Sequence, residues 1–147
     1  MLTIDEGILR VLSNVSLFTG LDRVHLIWLL SAAERVGVAQ DQLFFDEGDT
    51  GDTFFVFIKG STVVEKRTSD TWTKITDLRS GDTFGEMAII DGAPRSARVR
   101  AVTDSIALRL PQRRLDASPE VAAVIYRNIA RMQAARVREA NEKLFPK

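Results

Sequence analysis

The sequence predicts an α+β fold: an antiparallel β-roll, a jelly-roll-like barrel, flanked by N-terminal helices and one long C-terminal helix. Three observations carry this. Residues 1–35 place apolar side chains at helical spacing, residues 36–111 break into short apolar stretches between Gly/Asp turns, and residues 118–144 return to one uninterrupted helical pattern. At 147 residues the chain is expected to form one domain with a core large enough to need no staples.

The first helix is expected over residues 4–17, with Ile4, Ile8, Leu9, Val11 and Leu12 at helical spacing, and Gly20 breaks it. The second runs from Asp22, its N-cap, to about Arg35, with Val24, Ile27, Trp28, Leu29 and Leu30 on its apolar face. Strands follow at Leu43–Phe45, Phe54–Ile58, Thr62–Val64, Trp72–Leu78, Ala97–Val102 and Ile106–Leu110, separated by turn signals such as Thr50-Gly51-Asp52 and Ser80-Gly81-Asp82. The run Phe54–Ile58 is apolar throughout, the pattern of a strand buried on both faces. Ser118-Pro119-Glu120 starts the last helix, with Ser as N-cap and Pro in the first position. Val121, Ile125, Ile129 and Met132 form its apolar stripe, with Val124 and Ala135 beside it.

Composition narrows the function. There is no cysteine and a single histidine, His25, which leaves no Cys or His cluster for a metal. No apolar run is long enough to span a bilayer, and the N-terminus lacks a signal-peptide pattern, so a cytoplasmic location without membrane contact is expected. Net charge is zero but unevenly spread: residues 1–94 hold 8 basic and 15 acidic side chains, and residues 95–147 hold 12 and 5. Such asymmetry fits a nucleic-acid surface or simply an Arg-rich solvated helix.

The chemistry concentrates at Phe84-Gly85-Glu86-Met87-Ala88 and Pro94-Arg95-Ser96-Ala97. Glycine before a helical turn lets the backbone approach a ligand, and the N–H groups of that turn favour an anion. Arg95 offers a planar fork of donors and Ser96 a hydroxyl, both suited to phosphate oxygens. Glu86 repels a phosphate but accepts from sugar hydroxyls. The set suits a ligand with a phosphate and a vicinal hydroxyl. From the residues alone, a Glu86–Arg95 ion pair without any ligand is an equal reading.

This segment resembles the phosphate-binding cassette, here residues 84–97, of cyclic nucleotide-binding domains, found in catabolite activators, cyclic-nucleotide-dependent kinases and gated channels. The stretch Glu47–Val56 with Lys59-Gly60 is similar to the early turn and strand of the same roll, and the terminal helices sit where that family has them. The resemblance implies a non-enzymatic receptor that takes a cyclic mononucleotide, cAMP or cGMP, as ligand, with no cofactor. It implies Glu86 on the ribose 2′-hydroxyl and Arg95 on the cyclic phosphate. Ser96 and the N–H groups near Met87 and Ala88 complete the cradle. Val64 and Ile75 fall where the purine packs inside the roll, with ordinary core packing as their other reading. Arg136 and Val137 stand where bacterial activators place adenine-reading hydroxyls. Arg136 either pairs with a guanine edge, stacks on a purine or is solvated.

In the activators the long helix pairs with its twin, which implies a homodimer; packing on its own roll is the alternative. Those activators continue into a DNA-reading helix-turn-helix, whereas this chain ends at Lys147, and Arg127, Arg131, Arg136 and Arg138 scatter around the helix. The expected output is an effector protein or self-association, not nucleic acid. A ligand-free scaffold with this fold, a metal-dependent phosphodiesterase lacking its ligand cluster, and a regulatory domain of a larger kinase, channel or transcription factor are the competing readings.

Overall fold

The computed structural model describes residues 3–145. Helix α1 (Glu6–Leu12) is capped by Asp5, whose carboxylate accepts from Ile8 N–H at 2.8 Å. It ends earlier than the sequence suggests: a single 3-10 turn, Ser16–Phe18, takes up the rest of the expected helix. That turn buries Leu17 and Phe18 in the core, which a continued α-helix would have rotated away. Helix α2 (Arg23–Leu30) is capped by Asp22 as expected, and Leu26, Leu29 and Leu30 are buried while Val24 is exposed.

Helix α2 also stops short of Arg35. One of its last carbonyls is taken by a distant side chain: Arg114 donates through Nε (3.1 Å) and Nη2 (2.6 Å) to Trp28 O, and its guanidinium stacks on the Trp28 ring at 3.9 Å. The residues beyond form strand β1 (Glu34–Val38), which the sequence reading missed.

Seven further strands follow: β2 (Leu43–Phe45), β3 (Thr53–Lys59), β4 (Thr62–Thr68), β5 (Thr71–Leu78), β6 (Thr83–Phe84), β7 (Arg98–Ala101) and β8 (Ser105–Pro111). They form two antiparallel four-stranded sheets, β1-β8-β3-β6 and β2-β7-β4-β5. This is the predicted α+β roll with helices at both ends.

Strand β3 explains the two cores. Phe54, Phe55, Val56 and Phe57 are all buried, and successive side chains point to opposite faces. Phe54 and Val56 join Leu9, Leu29, Leu115 and Ile125 in a core between sheet and helices. Phe55 and Phe57 join Phe84, Val99 and Ala107 inside the roll, with Phe44, Phe45 and Val64 against them. The sequence reading of a strand buried on both faces holds for this reason.

Three helices complete the chain. Helix α3 (Met87–Asp91) lies between β6 and β7, the short α4 (Gln112–Asp116) follows β8, and α5 runs Pro119–Leu144. Ser118 caps α5, accepting from Val121 N–H at 3.3 Å. Val121, Ile125 and Ile129 are buried as the stripe predicts. Asn128 is buried among them and donates to Leu17 O (2.7 Å) and Thr19 O (2.8 Å), which fixes α5 onto the 3-10 turn. From Ala134 to Phe145 every residue of the helix and its C-cap is exposed. Among the described residues no helix is long and apolar enough to cross a membrane.

Candidate functional site

The candidate site lies where β6 hands over to α3 and returns through Pro94–Ala97. Phe84 closes β6 and is buried; its ring stacks on Phe55 with centroids 4.8 Å apart, so it builds the floor beneath the segment. Gly85 follows with φ of +77°, a conformation that side-chain-bearing residues rarely adopt. The turn it makes aims its carbonyl at Arg95, whose Nη1 donates to it at 2.6 Å.

Arg95 is the centre of the arrangement. It is only 6% exposed, donates through Nη2 to Thr53 O (2.9 Å) and Thr53 Oγ1 (3.3 Å), and lies over the Phe45 ring at 4.3 Å. Two glycines make room for it: a Cβ at Gly51 would meet Nη2 at 2.6 Å, and one at Gly85 would meet Nη1 at 2.8 Å. Burial pushes the guanidinium below its ordinary pKa, and the negative charges of Asp49, Asp52 and Glu86 oppose that shift. Arginine stays protonated at neutral pH all the same. Its Nε is buried and has no hydrogen-bond partner among the described residues. A buried charged donor left unsatisfied is costly. An oxygen acceptor brought by a ligand, an anionic one above all, would satisfy such a donor.

Glu86 is the N-cap residue of α3 and is 2% exposed. Its Oε1 accepts from Gln133 Nε2 (2.7 Å) and Arg136 Nη1 (2.8 Å), both on α5. The Glu86–Arg95 ion pair, the ligand-free alternative the residues left open, is therefore not formed. Each partner is taken by a group distant in sequence, and the two carboxyl–guanidinium charges act on each other only through space. Arg136, read from sequence as a base contact or a solvated residue, is instead held on Glu86, with its side chain half exposed.

The remaining residues separate. Met87 is half exposed and Ala88 is buried, its carbonyl accepting from Gly92 N–H at 2.9 Å. Ser96 is exposed and its carbonyl accepts from Lys66 Nζ at 2.8 Å. Val64 faces the roll interior opposite Val99. Ile75 does not share in the core: it is 55% exposed, because the β4–β5 register skips it between the Val64–Thr76 and Glu65–Lys74 pairs. Thr53, Phe45, Gln133 and Lys66 were missed by sequence reasoning. Gln133 alone left a signal, three residues before Arg136 on one helix face.

The family pattern described as "Cyclic nucleotide-binding domain" matches residues 35–118, and the chain belongs to that family. It is 28% identical over 109 residues to the cAMP-dependent protein kinase regulatory subunit of Dictyostelium discoideum, covering 71% of this chain and 33% of that protein. It is 25% identical over 140 residues to the CRP-like cAMP-activated global transcriptional regulator of Mycobacterium tuberculosis, covering 92% of this chain and 61% of that one. The crystal structure of a cyclic nucleotide-binding domain from Methylobacillus flagellatus superposes with a TM-score of 0.81 at 25% identity, covering 96% of this chain and 82% of that one. The chain thus spans a third of the kinase subunit and three fifths of the transcriptional regulator.

Proposed function

We propose that this chain is a non-enzymatic receptor that binds a cyclic mononucleotide at residues 84–97 and acts in the cytoplasm through an effector protein or through self-association. The observation that carries the reading is the buried, partly unsatisfied guanidinium of Arg95 beside a buried carboxylate, in a chain of this family. Arg95 and Ser96 take the cyclic phosphate with the N–H groups of Met87 and Ala88, and Glu86 accepts from the ribose 2′-hydroxyl. Gly85 and Phe84 shape the turn that holds them. Val64 and Ile75 offer the wall for the base, Val64 from the interior and Ile75 from the rim.

Glu86 already holds Gln133 and Arg136. A ribose hydroxyl that competes for the same carboxylate changes what fastens α5 to the roll, and ligand can shift the helix only by this difference in contacts. Arg136 then acts through Glu86 rather than on the base. The outer half of α5 offers a self-association surface: Ala130, Ala134, Val137 and Leu144 are exposed at steps of four, three and seven residues along one side of the helix, a spacing that suits pairing with a second copy. Receptor rather than catalyst fits a chain whose family is described as a cyclic nucleotide-binding domain.

Isothermal calorimetry with cAMP and cGMP tests the reading. The wild-type chain binds at least one of them, and Arg95→Ala, checked for folding by circular dichroism, binds about 10- to 100-fold more weakly, the worth of a charged hydrogen bond. Absence of binding to both at millimolar ligand refutes it.

A further inference from the structure

We infer that Lys66 is a specificity-determining residue of this site: it reads the edge of the base and favours a 6-oxo purine, as in guanine, over adenine. The inference rests on the cyclic nucleotide reading above and goes beyond it by assigning the base.

Strand β4 alternates between its two faces. Glu65 points outward, where Oε1 accepts from Arg98 Nε (3.0 Å) and Arg100 Nε (2.9 Å). Val64, one residue earlier, points inward and packs with the phenylalanines of the roll. Lys66 shares the inward face. It is exposed at the rim of the roll, and its ammonium folds back to reach Ser96 O at 2.8 Å, beside Arg95. Across the hairpin Thr73 pairs with Lys66, and its hydroxyl bonds that of Thr68 at 2.7 Å. That face therefore changes from the half-buried, apolar Val64 to the exposed, polar Lys66, Thr73 and Thr68 at the rim of the roll. A ligand with a flat apolar face and a polar edge suits that change.

The spacing also fits. Two residues along a strand are about 6.6 Å apart. A base packed on Val64 has its edge within reach of a four-carbon lysine stem rooted there. The ammonium carries three donors and no acceptor. One donor serves Ser96 O, and the others remain for the ligand. Guanine presents two acceptors on its outer edge, O6 and N7, whereas adenine presents N7 beside an amino donor. A donor-only group discriminates between them. Arg136 is engaged on Glu86 and does not compete for this role.

Calorimetry on the full chain with cyclic GMP, cyclic IMP and cyclic AMP decides it, with Lys66→Met and Lys66→Arg as variants. Lys66 is exposed, so both variants should melt with the wild type. Cyclic IMP keeps O6 and lacks the 2-amino group, which isolates the proposed contact. The wild type should prefer cyclic GMP and cyclic IMP over cyclic AMP by about 5- to 100-fold. Lys66→Met should remove most of that preference by weakening the two 6-oxo ligands, and Lys66→Arg should keep it. Equal binding of the three ligands, or a preference for cyclic AMP, overturns the inference. So does an equal weakening of all three by Lys66→Met, which would place the ammonium on the phosphate. Failure of every ligand to bind instead refutes the cyclic nucleotide reading itself.

Discussion

Replacing Gly85 by alanine tests whether the turn at the site is built around Arg95. Two costs arise. The backbone φ of +77° strains any residue with a Cβ, at about 1–2 kcal/mol. The new methyl would also lie 2.8 Å from Arg95 Nη1 and 3.2 Å from the Phe45 and Phe55 rings. Arg95 is buried and must move, which sacrifices its 2.6 Å bond to Gly85 O, worth about 1–3 kcal/mol for a charged donor. The total is about 2–5 kcal/mol. At about 2–4 °C per kcal/mol for a chain of this size, the melting temperature should fall by roughly 4–20 °C. Gly92→Ala is the control. Gly92 also has a positive φ, of +67°, but a Cβ there meets nothing within 4 Å, so only the backbone cost applies. Thermal unfolding of both variants followed by circular dichroism separates the two terms. If Gly92→Ala loses as much as Gly85→Ala, the collision with Arg95 contributes nothing and the account of the turn is wrong.

Two more outcomes follow from the structure. The hydrogen bond from Arg100, aided by Arg98, holds the Glu65 carboxyl below its ordinary range despite the burial that opposes this. That contribution is complete above about pH 5, past the unfolded carboxyl's pKa, and is lost as pH falls through the lowered folded value. Glu65→Gln should therefore cost about 1–2 kcal/mol at pH 7 in urea unfolding, with the gap to wild type closing in acid; a pH-independent gap would show that the charge is not responsible. Val137 is 58% exposed on the outer half of α5, so Val137→Glu should leave the monomer's stability within about 0.5 kcal/mol while shifting sedimentation-equilibrium mass from dimer to monomer; a monomeric wild type at tens of micromolar sinks the self-association reading.

Much of the fold was legible because its signals are local. The caps at Asp22 and Ser118 appear as expected, since an N-cap needs only a side-chain oxygen within three residues of the N–H it accepts. The two-faced burial of Phe54–Phe57 was readable because strand side chains alternate and all four are apolar. Helix ends were less legible. At the end of α2 the Trp28 carbonyl is capped by Arg114, 86 residues away, and the exposure of Ile75 depends on how β5 registers against β4.

The site divides in the same way. By itself the sequence determined which groups the segment 84–97 carries and in what order. Side-chain chemistry and short-range spacing are written in the chain. Only the tertiary structure decided which partner each charge takes. Arg95 binds Thr53, 42 residues away, and Glu86 binds Gln133 and Arg136, 47 and 50 residues away. Burial makes those choices: a desolvated charge must take the donors or acceptors that the fold brings within reach, and that reach is set by packing across the roll, not by neighbours along the chain.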